Sequence, residues 1–390
     1  MIGTSQTDRR RLALMGLLVI ALGVGSVLLL ELALWLFGVK SSSEKTQNIL
    51  LDAARPKALR DVPDLGWALC PGFNGVIKGI RYRINSLGFR GPEVQKTRHK
   101  GSFRVLCLGD STTYGVMVDQ DQTYSSVLEK QLAKILAPRT VETINAGVPG
   151  YSSVQVSLYF SKRCLQLDPD LVTLCVGIND AFAIPNLCDQ DKDLYVPWRR
   201  SIRRAKDALG HSRIFTLLDA GLSWLVKAVT LSKSESQPSQ GMKPRADVHS
   251  YYENLLDIAR KCERRGIPLL LFSFSLPADY SKSMLRAAHN SQANYIDMEP
   301  AFESAATASA HSAGEAQSKT AASGPASATP GQMFAGVYEG MFSSRMLATH
   351  TNRALFIDPC HPTPLGHKLI AEQLARAIAE KGLIKGAGKR

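Results

Sequence analysis

Two kinds of apolar pattern alternate along most of the chain. Runs that are apolar at nearly every position, FRVLCLG at 103–109, LVTLCV at 171–176 and LLLFSFS at 269–275, read as strands buried on both faces. Shorter strands are expected from 141 and over 295–298. Between them, apolar residues recur three and four places apart over 124–136, 154–165, 250–265 and 362–383, which predicts amphipathic helices. Tyr252, Leu255, Leu256 and Ala259 share one side of the 250–265 helix, and Pro138 closes the first one. Repeated strand–helix units predict an α/β protein with a doubly wound parallel sheet.

The front of the chain follows a third pattern. Residues 12–39 are apolar with Glu31 as the one charge, and at about 1.5 Å per residue that length crosses a hydrocarbon layer about 30 Å thick. A cleaved signal sequence has a shorter apolar region and a small-residue cleavage site, so an uncleaved anchor is expected. Trp35 and Phe37 mark the far interface, where the Glu31 carboxylate reaches water. Arg9, Arg10 and Arg11 precede the span, whereas Lys40 and Lys45 are the nearest cations after it. The positive-inside rule then gives a single pass through the cytoplasmic membrane, with everything from residue 40 onward on the extracytoplasmic side.

The expected organisation is a cytoplasmic N-terminus (1–11), a transmembrane anchor (12–39), a stalk (40–63), an extension of short strands and turns (64–102) and a main domain (103–390). Two insertions interrupt the main domain. The first, 183–245, carries WRRSIRRAKDAL and then IFTLLDAGLSWLVKAV, and is expected to cap the rim of a site or to rest on the membrane. The second, 303–332, is rich in Ala, Ser, Thr and Gly and is expected to be a flexible loop.

The candidate chemistry begins where the 103–109 run stops at Gly109, Asp110 and Ser111. Ligands of open α/β sheets collect outside the carboxyl ends of strands, so a serine one residue past such an end faces the place of a substrate. A serine hydroxyl needs a base, a group to orient that base and donors for the oxyanion. Candidates for all three follow in order. Gly147 lies in the turn NAGVPGYSS, Asn179 lies in GIND where the strand of PDLVTLCVGIND ends, and Asp358 stands three residues before His361 in FIDPCHP, close enough to orient its imidazole.

With these four blocks the chain resembles the SGNH hydrolase superfamily, also called GDSL esterases/lipases. The resemblance rests on Gly109-Asp110-Ser111, on Gly147, on Gly177-Ile178-Asn179-Asp180 and on Asp358-Pro359-Cys360-His361-Pro362. It covers about 103–383 and implies a flavodoxin-like sheet, with Ser111 as nucleophile, His361 as base and Asp358 as its orienting carboxylate. It further implies an oxyanion hole of the Ser111 and Gly147 amides with the Asn179 side chain. The expected activity is that of a membrane-anchored serine esterase cleaving O-acetyl or other acyl groups from extracytoplasmic glycans or lipids. An O-acyltransferase acting on an extracytoplasmic polysaccharide uses the same residues, and a non-catalytic glycan-binding or scaffold domain is the reading from another class. Segments such as INSLGFRG are familiar in membrane-attached members, which implies an extension laid across the core.

Composition adds exclusions. A net charge of +13 invites a nucleic-acid reading, but the cations are scattered and no aromatic–basic module accompanies them, so no nucleic-acid partner is expected. The absence of a metal motif, a Walker loop or a GxGxxG fingerprint predicts neither metal nor cofactor. Seven cysteines cannot all pair; Cys107 and Cys175 read as small hydrophobes, Cys70, Cys164, Cys188 and Cys262 are disulfide candidates, and Cys360 is a thiol beside the site. Asp110 and Asp180 are expected to fix loops and His367 to be structural. Tyr114 and Tyr151 suit either substrate contact or packing, and Arg90 a surface turn more than the active site. His211, His249, His289, His311 and His350 have no partner pattern.

Overall fold

A computed structural model describes residues 6–39, 58–62, 64–184, 209, 212–218, 221, 243–317, 349–350 and 352–384. Most of the expected stalk, the basic piece of the first insertion and the 318–332 part of the second lie outside these residues. The chain divides into two compact units, Met1–Asp52 with Val196–Gln240, and Ala53–Tyr195 with Gly241–Arg390.

The first unit contains α1, Gln6–Leu36, whose segment Leu14–Leu36 is long and apolar enough to cross a membrane. Its apolar side chains face outward along its length. Glu31, expected to reach water, also holds part of the first insertion: its carboxylate accepts from the Ser212 hydroxyl and, at 3.1 Å each, from the Arg213 and Ile214 amides. Arg213 Nε also donates to the Val39 carbonyl at 2.9 Å.

The second unit opens with β1 (Leu59–Val62), β2 (Gly66–Leu69), β3 (Asn74–Ile77) and β4 (Ile80–Arg83), which pair as two antiparallel hairpins. The central sheet follows: β5 (Phe103–Gly109), β6 (Val141–Gly147), β7 (Leu171–Cys175), β10 (Leu269–Ser273) and β11 (Asn294–Asp297). The two-residue strands β8 (Ala183–Ile184) and β9 (Lys243–Pro244) pair with each other at the base of the first insertion. In the order β11-β10-β7-β5-β6 all neighbours are parallel, so the first strand in sequence lies between the second and third. That is the flavodoxin-like order, and its switch point falls between β5 and β7.

Side chains of a strand alternate between faces, and here both faces are apolar. Leu106, Leu108, Val172, Leu174, Leu269 and Leu271 enter one core, while Val105, Cys107, Leu171, Leu270 and Phe272 enter the other. The first core is covered by α4 (Ser153–Tyr159), α6 (Val248–Arg264) and α7 (Ala278–Asn290). The second is covered by α3 (Tyr124–Ile135) and α9 (Pro364–Glu380). Leu65, Leu69, Tyr82, Ile84 and Phe89 join the first core, so the 64–102 extension is part of the packed domain.

Two expectations are corrected here. The predicted 154–165 helix is α-helical only to Tyr159, then forms a π turn over Phe160–Cys164 and a 3₁₀ turn over Leu165–Leu167. The second insertion does not begin as a flexible loop, because α8 runs Glu299–Gln317. Its alanines, read as low-complexity filler, are the strongest helix formers, and helix propensity prevails once Glu299 and Phe302 are fixed. Among the described residues Cys70, Cys107, Cys164, Cys175, Cys262 and Cys360 are unbridged, and Cys188, the fourth disulfide candidate, lies outside them.

Candidate active site

Ser111 opens α2, Ser111–Tyr114, immediately beyond β5. Asp110 caps this helix, its Oδ1 accepting from the Thr112 amide at 3.0 Å and the Thr112 hydroxyl at 2.9 Å. Burial pushes the Asp110 carboxyl above the ordinary range despite these bonds. The loop-fixing role expected of Asp110 holds. So does that of Asp180, which follows β7 in α5 (Ile178–Ala181) and accepts from the Ser153 amide.

The other half of the site comes from a tight hairpin of β12 (Phe356–Asp358) and β13 (His361–Pro362), whose register places Asp358 opposite His361. Helix α9 follows at once: Pro364 starts it and the Thr363 hydroxyl caps it by accepting from Gly366 N. This seats the hairpin over the end of β5. His361 Nε2 lies 2.8 Å from Ser111 Oγ, and His361 Nδ1 lies 2.7 Å from Asp358 Oδ2 and 2.9 Å from Oδ1. Oδ1 also accepts the Cys360 and His361 amides, each at 3.0 Å.

The charges follow from these contacts. For Asp358, burial alone would raise the carboxyl, but the His361 ring and the hydrogen bonds of the turn outweigh it and hold the group far below the usual range. For His361, burial opposes the charged ring, yet the Cys360 sulfur at 3.4 Å and the Asp358 carboxylate raise the imidazole well above its ordinary value. Asp358, Cys360 and His361 also present donor atoms within 4.8 Å of one another, a set that a soft cation would use only by breaking the Asp358–His361 bond.

The oxyanion candidates are arranged differently from expectation. The Gly147 amide donates to Asn145 Oδ1 at 3.1 Å, and a Cβ on Gly147 would lie 2.1 Å from Tyr114 N. Gly147 therefore serves close packing of β6 on α2, and its N–H is already used. Three residues on, Gly150 has φ 79°, and its N–H makes no hydrogen bond among the described residues. Asn179 meets the same turn: its Nδ2 donates to the Tyr151 carbonyl at 3.0 Å and reaches Asp110 Oδ2 at 3.3 Å. The sequence places two glycines in this turn, but only backbone direction separates the amide turned inward from the one left open.

Tyr114 and Tyr151 prove to be packing residues. Tyr114 stacks on Tyr82 at 5.5 Å, and the Tyr151 hydroxyl donates to the Trp67 carbonyl at 2.5 Å. Arg90 is not a surface residue. At 2% exposure it lies beside the stacked Tyr82 and Tyr114 rings and donates to the carbonyls of Tyr114, Gly115 and Val118, the chain just past Ser111. His367 is structural as expected; its Nδ1 accepts from the Tyr124 amide, and burial first, then Arg90 and His361, lower it to about 3.

Residues 107–369 match the model of the GDSL-like Lipase/Acylhydrolase family. No curated protein matches the chain. Among solved structures, an acetyl xylan esterase, AlAXEase, is similar at 16% identity and a TM-score of 0.38, over 71% of this chain and 100% of that one. A lipase/acylhydrolase from Enterococcus faecalis is similar at 14% identity and a TM-score of 0.38, over 72% and 96%. TesA is similar at 15% identity and a TM-score of 0.38, over 72% and 99%.

Proposed function

The chain belongs to the GDSL-like lipase/acylhydrolase family, and from that membership we propose a serine esterase in which Ser111, His361 and Asp358 carry the acyl transfer. The observation that supports it is the unbroken line from Ser111 Oγ to His361 Nε2 at 2.8 Å and from His361 Nδ1 to Asp358 at 2.7 Å. Ser111 Oγ attacks the ester carbonyl while His361 Nε2 takes its proton; Asp358 fixes the tautomer and stabilises the imidazolium. The tetrahedral intermediate collapses as His361 returns that proton to the departing alcohol. Water then attacks the acyl-serine, with His361 again as base, releasing the acid and Ser111.

The oxyanion forms beside the N-terminus of α2, where the Ser111 N–H makes no hydrogen bond among the described residues. We assign the hole to that amide, the Gly150 amide and the Asn179 side chain, whose longer contact to Asp110 gives way to the substrate oxygen. One such donor is worth about 3 kcal/mol in the transition state. The apolar helix and the arginines before it support a single-pass anchor with the domain outside the cytoplasm. Its substrates are then acyl esters of glycans or lipids reached at the outer face of that membrane.

The test uses the full chain in membranes with aryl esters of increasing acyl length, with and without a polysaccharide acceptor. Release that disappears in Ser111→Ala and falls about 10⁴-fold in Asp358→Asn is the expected result. Acylated polysaccharide appearing at the expense of free acid would make the enzyme a transferase. Turnover equal to wild type in Ser111→Ala would sink the assignment.

A further inference from the structure

A second serine–histidine–carboxylate array lies behind the catalytic hairpin, and no sequence motif marks it. His350 is 1% exposed, with its ring stacked on Phe356 at 4.2 Å. Its Nδ1 lies 2.8 Å from the Pro359 carbonyl oxygen and 2.9 Å from Ser275 Oγ, and its Nε2 lies 3.1 Å from Glu299 Oε2. The Ser275 hydroxyl donates to the same Pro359 oxygen at 3.1 Å, and the Ser275 amide donates to Glu299 Oε1 at 2.8 Å. A carbonyl only accepts, so the Pro359 contact takes the Nδ1–H of His350 as its donor. Ser275 is as buried as His350, which excludes the array as a second nucleophile.

Its target is the peptide that joins Pro359 to Cys360. The carbonyl of that peptide accepts from His350 and Ser275, and its N–H donates to Asp358 Oδ1 at 3.0 Å. Drawing on the carbonyl strengthens the N–H as a donor, because linked hydrogen bonds polarise one another. A continuous polar line thus runs from Glu299 through His350, the 359–360 peptide, Asp358 and His361 to Ser111. We propose that His350, held by Glu299, is a positioning residue: it fixes the turn so that the Asp358 carboxylate stays on the His361 imidazole. The proposal rests on the serine-esterase reading above. It also gives a use to a histidine for which the sequence offered no partner.

Two measurements on the full chain test this: steady-state ester hydrolysis normalised to active sites, and the titration midpoint of His361 followed by NMR of histidine-labelled protein without substrate. His350→Ala is expected to lower kcat about ten- to a hundredfold, the scale of a misplacement of about 1 Å, with KM little changed. The His361 midpoint is expected to move down, because a looser carboxylate holds the imidazolium less well. Glu299→Gln should shift both in the same direction by less, and the double variant should be no worse than His350→Ala, since the two act as one unit. Cys360, Asp110, Tyr82 and His367, the other titratable groups that act on or feel His361, are unchanged in all three proteins. A folded His350→Ala protein with wild-type kcat and an unmoved midpoint overturns the proposal. If that variant does not fold, wild-type values in Glu299→Gln overturn it instead. Should the wild type hydrolyse no ester, the esterase reading fails by itself, and the midpoint still decides the role of His350.

Discussion

Cys360 sits between the two residues of the catalytic hairpin, its sulfur 3.3 Å from Asp358 Oδ1 and 3.4 Å from His361 Nδ1. In the proposed mechanism His361 works as a neutral base, so activity is expected to rise with pH through its pKa, which is raised. The acid limb of kcat/KM is therefore expected above the usual imidazole value of about 6.5, and Cys360→Ser should move it down by removing the sulfur; a pH–rate profile of both proteins reads this directly. Arg90 gives a prediction of another kind. Arg90→Ala leaves the carbonyls of Tyr114, Gly115 and Val118 buried without that donor, at a cost of about 3 kcal/mol or more, seen as a lower urea midpoint. The placement of Ser111, Asp358 and His361 was legible in the sequence because its signals are local: a strand end, and two residues on one turn. The contacts of Arg90 and His350 were not, because the arginine's acceptors lie 24 to 28 residues away and the histidine joins Pro359 nearby to Ser275 and Glu299, 75 and 51 residues away.

At the scale of elements, the strands were easy to read because a strand apolar at every position has few other uses, and β5 is buried along its whole length. The ends of elements were harder. Thr363 and Pro364 announce the start of α9, whereas nothing local announces the π turn that ends α4. Nor does an alanine-rich stretch declare whether it is filler or helix until its first turn is packed, as α8 shows. The junction of β6 with α2 carries the third prediction. A methyl on Gly147 would overlap the backbone of Thr113 and Tyr114, which cannot swing aside as a flexible side chain would. Gly147→Ala is expected to displace the helix that bears Ser111, lowering both the melting temperature and kcat. A Gly147→Ala protein with native melting and turnover would show that the junction tolerates the shift.

For the molecule as a whole, the flavodoxin-like order was inferable from repeated strand–helix units, and the sheet adds what no pattern contained: Ser111 follows β5 and Asn179 follows β7, on either side of the switch point. Part of the positive charge is used inside the domain, where buried Arg90, Arg104 and Arg245 serve carbonyls, Gln155 and Glu142. Glu31 is the feature whose meaning changes most between sequence and structure. A carboxylate with three donors from residues 212–214 makes the N-terminal helix scaffolding for a stretch of its own chain some 180 positions away. A shortened protein starting at residue 58 would strip that scaffold, and limited proteolysis is expected to cut it around 212–218 sooner than the intact chain. Trimming the front end of this enzyme would thus orphan a second region that the trimming never touched.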